Sequence, residues 1–166
     1  MAVQNGNVHT AVVLQGGGAL GAYEYGVLRA LYEQRPGFKP VAVAGISIGA
    51  ITAAVLGGAR TDPVSALDRL WRAKLTVTPP PFTWIPRQID RSLAVLGNPG
   101  MYRPQAALLT ASWAVTSVYD TRPLRQTLAE LVDPDTLNDE ETRVIVGATN
   151  VGTGGWSSST ADVPAA

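Results

Sequence analysis

Short apolar runs that end in glycines, each followed by a stretch with helical periodicity, dominate the first third of the chain. Residues 10–14 and 41–44 are apolar and rich in β-branched side chains, which predicts two buried strands. Residues 22–34 between them place apolar side chains near one face of a helix. A strand, a helix and a second strand form a βαβ unit, whose right-handed crossover makes the two strands parallel.

The remaining pattern predicts further helices, one more strand and a turn. Asp62 followed by Pro63 is typical of a helix start, and we expect that helix to reach about Lys74. Residues 142–149 predict a third strand. The other predicted elements are helices at 87–96, 105–115 and 122–131, the last capped by Asp120 and Thr121, and a turn at 133–135.

These elements together predict an α/β fold, a three-layer sandwich with a mainly parallel central sheet. The end of the chain changes character, because residues 152–166 are mostly small and show no apolar period. We therefore divide the chain into a domain over residues 1–154 and a disordered or aberrant tail over residues 155–166.

Composition narrows the range of partners and sites. Thirteen basic residues balance thirteen acidic ones, so nothing favours a nucleic-acid partner. The chain has no cysteine and one histidine, His9, which excludes thiolate sites and two-histidine metal sites within one chain. We expect neither a metal nor another cofactor.

The start of the chain and its longest uncharged stretch predict a cytoplasmic protein. Residues 1–10 contain neither the basic nor the apolar segment of a signal peptide. Residues 40–59 carry no charge over about the length of a membrane span, but four glycines divide them. A buried strand followed by a buried helix is therefore the preferred interpretation.

The sharpest chemical signal is the sequence Gly45-Ile46-Ser47-Ile48-Gly49 between the second strand and an apolar helix. A G-x-S-x-G motif in this strand–turn–helix context is typical of a nucleophile elbow. The small glycines let the helix pack back on the strand. Ser47 then stands at a helix N-terminus, where free N–H groups favour developing negative charge.

A second glycine-rich turn, Gly16-Gly17-Gly18, follows the first strand. Because the carboxyl ends of parallel strands share one edge of the sheet, we expect this turn to lie beside Ser47 and to form an oxyanion hole. The alternative is a dinucleotide fingerprint, since Gly21 completes the G-x-G-x-x-G spacing. That fingerprint expects an acidic residue after the second strand, where this chain has the Ser47 turn.

A Ser-His-Asp triad is not expected, because His9 precedes the first strand whereas the histidine of α/β-hydrolases follows the serine. His9 is interpreted instead as a solvated residue near the start of the chain. If Ser47 is activated, the base must be another group, and a carboxylate is the best candidate.

Several of these stretches together resemble the start of a patatin-like phospholipase of bacterial type. The resemblance rests on two glycine motifs, on the helix between them and on two later stretches, and it covers roughly residues 10–154. The matching segments are Gln15-Gly-Gly-Gly-Ala-Leu-Gly21, Gly26-Val-Leu28, Gly45-Ile-Ser-Ile-Gly49, Tyr119-Asp-Thr-Arg-Pro-Leu-Arg125 and Gly147-Ala-Thr-Asn-Val151.

The resemblance implies an α/β serine hydrolase that acts on the ester bonds of lipids or phospholipids. It implies a Ser–Asp dyad without histidine or metal. By match, Ser47 is the nucleophile, Gly16 to Gly18 carry the oxyanion N–H groups, and Gly21, Gly45 and Gly49 are the remaining motif glycines.

The dyad aspartate of the family has no match in this chain. That aspartate stands in an Asp-Gly-Gly or Asp-Gly-Ala motif downstream of the third strand, and the sequence contains no Asp-Gly dipeptide. Asp162 precedes Val-Pro, and Asp120 belongs to a different family stretch, where a helix cap is its expected role.

We therefore hypothesise a truncated or frame-shifted member that is nearly inactive, whose sheet keeps an open apolar edge and whose solubility is poor. The alternative is a non-catalytic, lipid-binding or interaction remnant.

Residues 79–86, with Phe82, Trp84 and Ile85, are interpreted as a packed proline-rich linker, with peripheral contact to a membrane surface as the alternative.

Overall fold

A computed structural model describes residues 9–75, 98, 100–104, 119–139, 141–150 and 152–160. The chain divides into two compact units. The first comprises the residues up to Leu67 and those from Leu131 onward, and the second comprises Asp68–Glu130. The helices predicted at 87–96 and 105–115, and the proline-rich stretch at 79–86, lie outside the described residues.

A four-stranded sheet organises the first unit. In their order across the sheet, its strands are β1 (Ala11–Leu14), β2 (Ala42–Ile46), β5 (Arg143–Thr149) and β6 (Trp156–Thr160). Strands β1, β2 and β5 are parallel, and β6 pairs antiparallel with β5. The predicted α/β class and the mainly parallel sheet are confirmed.

Helices of the first unit connect the parallel strands. They are α1 (Gly21–Gln34), α2 (Ile48–Gly57), α3 (Pro63–Asp68) and α5 (Pro134–Asn138). Helix α1 joins β1 to β2, and α2 leaves β2 directly, as the glycine and apolar pattern predicted. Helix α2 packs on the parallel strands and contacts α1. Right-handed crossovers along one direction of a sheet place their helices on one face, so the described residues form the sheet and one helical layer.

The core of this unit lies between the sheet and α2. Val43 and Val144 pair side by side on the covered face and are 0% and 3% exposed. Most of α2 is buried, and inside it the Thr52 hydroxyl donates to the Ile48 carbonyl at 3.0 Å. The other buried apolar residues of the unit are Leu14, Leu28, Ile48, Ala53, Val55, Leu56, Ala66, Leu67 and Leu131.

The opposite face of the sheet carries exposed apolar side chains among the described residues. Because side chains alternate along a strand, residues next to Val43 in sequence point away from α2. On that face Val13 is 73% exposed, Ile46 is 44% exposed and Trp156 is 68% exposed. Apolar side chains are therefore exposed on this face within the described residues, and the open apolar edge expected from the sequence stays a prediction.

The second unit contains short pieces of regular structure. A π-helical segment, Arg69–Leu75, continues the chain after α3, and β3 (Arg103–Pro104) pairs antiparallel with β4 (Tyr119–Asp120). Helix α4 (Arg122–Leu131) begins and ends where the sequence predicted. Its start is fixed by Asp120, whose carboxylate accepts the Arg122 N–H at 3.0 Å, and this confirms the predicted capping role.

Two predictions differ from the structure. The tail predicted to be disordered contains β6, since Asn150 closes a tight turn that returns Trp156–Thr160 along β5. The turn predicted at 133–135 begins helix α5, because the Asp133 carboxylate accepts the Thr136 N–H at 3.2 Å and Pro134 occupies the first turn. No helix among the described residues is long and apolar enough to cross a membrane.

Candidate active site

Ser47 occupies a strained turn between β2 and α2. Its φ is 56° and its ψ is −129°, the values of the first central residue of a type II′ turn, which glycine normally fills. Among the described residues Ser47 is the only non-glycine with a positive φ. Its hydroxyl makes no capping hydrogen bond to α2, and the residue is exposed. The fold therefore presents this hydroxyl to solvent at the carboxyl edge of the sheet.

The glycine-rich turn after β1 lies against the Ser47 turn. Leu14 and Gly45 are partners in the parallel register, so both loops leave the sheet at the same level. A Cβ atom on Gly16 would lie 2.4 Å from the Ile46 carbonyl oxygen and 3.2 Å from the Ser47 Cβ. A Cβ on Gly49 would lie 2.4 Å from the Leu14 carbonyl oxygen. The two loops are thus in backbone contact, and side chains at these positions would separate them.

Three consecutive glycines give this turn its shape. Gly16, Gly17 and Gly18 have φ values of 73°, 102° and 63°, a run that other residues adopt at a cost. A single turn of 3₁₀-helix, Gly18–Leu20, then leads into α1. Within the described part of the chain, the N–H groups of Gly17 and Gly18 have no acceptor. Such free, successive N–H groups are suited to bind an anion.

Gly16 differs from its two neighbours because its N–H already has an acceptor. It donates to Oε1 of Glu24, in the first turn of α1, over 3.1 Å. The other carboxylate oxygen, Oε2, is buried and has no hydrogen-bond partner. Sequence reasoning missed Glu24. The available signal was an acidic residue in the first turn of the helix that follows the glycines, where a carboxylate can reach back to loop N–H groups.

A third loop lies at the same edge of the sheet, between β5 and β6. Its Asn150 side chain accepts the N–H groups of Gly152 and Thr153 at 2.9 and 3.3 Å. The Asn150 backbone N–H also donates to Gly155 at 2.8 Å. The hydrogen bonds of Asn150 therefore close the turn that positions β6.

The remaining sequence candidates are not part of this constellation. His9 is exposed and precedes β1. Asp120 accepts hydrogen bonds from its neighbour Arg122, and these bonds lower the pKa of its carboxyl group. Asp162 lies outside the described residues.

The fold and the site define a class of protein: a parallel α/β domain with a serine on a strained strand–helix turn and a glycine turn beside it. A family model of patatin-like phospholipases matches residues 12–163. The chain therefore belongs to the patatin-like phospholipase family, and this membership supports lipid acyl hydrolysis at the level of the family. No curated protein matches the chain.

Proposed function

We propose that this protein is a serine acyl hydrolase of lipid esters in which Ser47 is the nucleophile. The observation that carries the proposal is the positive φ of Ser47 in a turn that contacts the Gly16 turn. A strained serine between strand and helix, beside free N–H groups, is an arrangement suited to acyl transfer. Membership in the patatin-like family supports the lipid ester as substrate.

The proposed reaction has two halves. Ser47 Oγ attacks the ester carbonyl carbon, its proton passes to a general base, and the carbonyl oxygen becomes an oxyanion. The ester C–O bond then breaks and the alcohol leaves with that proton. Water hydrolyses the acyl-enzyme by the same steps and releases the carboxylic acid. The N–H groups of the glycine turn stabilise the oxyanion in both halves, and one such donor contributes about 3–4 kcal/mol.

Labelling with a fluorophosphonate tests the nucleophile. Ser47 Oγ forms a bond to phosphorus, the P–F bond breaks, fluoride leaves and the serine proton passes to solvent. We expect mass spectrometry to find a single adduct on the peptide that contains Ser47 and none in Ser47→Ala. Ser65 is an exposed serine of α3, so the variant Ser65→Ala is the matched control and should be labelled like the wild type. Labelling of several serines at equal rates would contradict the proposal.

We also propose that residues 1–166 hydrolyse esters slowly, because no residue of this sequence matches the family's dyad aspartate. Removing the group that activates a serine costs about 10⁴-fold in kcat while oxyanion stabilisation survives. Hydrolysis of a short-chain p-nitrophenyl ester should therefore stay close to the rate of Ser47→Ala. Rapid turnover by the wild type that Ser47→Ala abolishes would show that a base is present.

A further inference from the structure

The Glu24 carboxylate is the unexplained group of the site. It lies one hydrogen bond away from Gly16, and Gly16 is in backbone contact with the Ser47 turn. Most first-turn acidic residues of helices interact with the N–H groups of their own helix. Glu24 instead reaches back eight residues to the glycine turn.

We propose that Glu24 is a positioning residue that fixes the glycine turn and leaves the N–H groups of Gly17 and Gly18 as the oxyanion donors. This inference rests on the proposed function and assigns the donors within it. An N–H group that donates to a carboxylate is engaged and faces a negative charge. The Gly16 N–H is therefore a poor donor to a second anion, because the two anions would repel each other.

The hydrogen bond also has a conformational consequence. Glycine has more freedom to lose on folding than other residues, and three consecutive glycines with positive φ need external restraint. On one side Gly16 is held against the Ile46 carbonyl and the Ser47 Cβ. On the other side the Glu24 carboxylate holds its N–H. The position of the next two N–H groups relative to Ser47 depends on both restraints.

The burial of the second carboxylate oxygen of Glu24 indicates how a neutral replacement should affect the reaction rate. Oε2 is buried without a hydrogen-bond partner, so a full charge there is poorly compensated, and it lies on the side chain that holds the glycine turn. Glutamine keeps an acceptor for the Gly16 N–H and removes the charge, whereas alanine removes both. Glu24→Gln should therefore react at least as fast as the wild type, and Glu24→Ala should react more slowly.

The rate of fluorophosphonate labelling of Ser47 provides the first test. We expect Glu24→Ala to lower the second-order rate constant by about tenfold or more, since misplaced oxyanion donors lose most of their effect. Glu24→Gln should restore the wild-type rate or exceed it. Glu33 is an exposed glutamate of the same helix and forms an ion pair with Arg29. The variant Glu33→Ala is therefore the matched control and should leave the rate unchanged. Equal rates for Glu24→Ala and the wild type would overturn the proposal.

Amide proton shifts of ¹⁵N-labelled protein provide a second test that does not require the reaction. The Gly16 amide proton should lie downfield in the wild type and move upfield in Glu24→Ala, and an unchanged Gly16 signal would overturn the inference. After labelling, the Gly17 and Gly18 protons should move downfield while Gly16 stays, and the opposite pattern would overturn the assignment of donors. If wild-type Ser47 takes no label, the proposed function fails, and the Gly16 signal in Glu24→Ala decides the inference.

Discussion

At the scale of single residues, the site depends on backbone conformations that few side chains tolerate. Ser47 has a positive φ, and Gly16 lies so close to the Ile46 carbonyl that any Cβ would collide with it. The G-x-S-x-G motif predicted this turn, because only residues as small as glycine at its two ends let the helix pack back on the strand. Glu24 was harder to predict, since an acidic residue in the first turn of a helix normally interacts with its own helix, and nothing in the sequence indicates that this one accepts from Gly16, eight residues earlier.

The strain at Ser47 should be measurable as a difference between two nucleophile-free variants. A non-glycine residue in such a conformation costs about 1–3 kcal/mol, which glycine avoids, although glycine loses about 0.5–1 kcal/mol more entropy on folding. We expect Ser47→Gly to be more stable than Ser47→Ala by about 1 kcal/mol in urea unfolding.

Ser65 offers the matched control, because it lies in helix α3 and does not have a positive φ. There the order should reverse, with Ser65→Gly less stable than Ser65→Ala by about 1 kcal/mol. The same order at both positions would show that the Ser47 turn stores no strain in solution.

At the scale of elements, the sequence predicted those that depend on local signals. Helix α4 and strands β1 and β5 fall within one residue of their predicted ends, because apolar pattern and capping agree there. Strand β6 was missed since WSSST has no alternating apolar side chains, and only its pairing with β5 makes it a strand. Helix α5 was missed although Asp133-Pro134 carries the same start signal as Asp62-Pro63, because five residues show no apolar period.

Asp133 should stabilise the fold in a pH-dependent way. Hydrogen bonds from Thr136 and the nearby Arg60 lower the pKa of its carboxyl group. Because the pKa is lower in the folded state, the Asp133 carboxylate stabilises the fold fully at pH values above its pKa in the unfolded chain, about 3.9. This stabilisation is lost as the pH falls through the pKa of the folded state. Asp133→Ala should therefore unfold at lower urea concentration near neutral pH, and the difference should shrink from about pH 5 towards about pH 2.

Asp135, which is in the first turn of the same helix without this hydrogen bond, is the control for charge alone. Asp135→Ala should change the urea midpoint less than Asp133→Ala at neutral pH. A constant effect of Asp133→Ala at every pH would contradict the capping role of its charged form.

At the scale of the whole molecule, the described residues of the first unit form a sheet with one face covered by α2 and with exposed apolar side chains on the other. The sequence predicted an open apolar edge from the small number of strands, and it did not predict exposed apolar side chains on a face of the sheet. Which face carries them depends on register, since Val12 pairs with Val43 and Val13 pairs with Ala44, on the opposite side. Exposed apolar faces of this kind promote association between molecules.

Matched valine substitutions on the two faces should separate solubility from stability. Val13→Thr, on the face with exposed apolar side chains, should leave the free energy of unfolding within about 0.5 kcal/mol and reduce light scattering and binding of an apolar dye. Val43→Thr, on the covered face, should destabilise by about 1–3 kcal/mol, because it buries a hydroxyl. Unchanged scattering in Val13→Thr would show that this face does not drive association.

The long separation between β2 and β5 has a consequence for synthesis. The glycine turn, the Ser47 turn and helices α1 and α2 all lie within Ala11–Gly57, but Val144 follows its strand partner Val43 about 100 residues later. A ribosome needs roughly 5–20 s to add that length of chain. During this interval the free edge of β2 is a template for wrong partners, so the yield in cells should depend on chaperones that shield nascent strands.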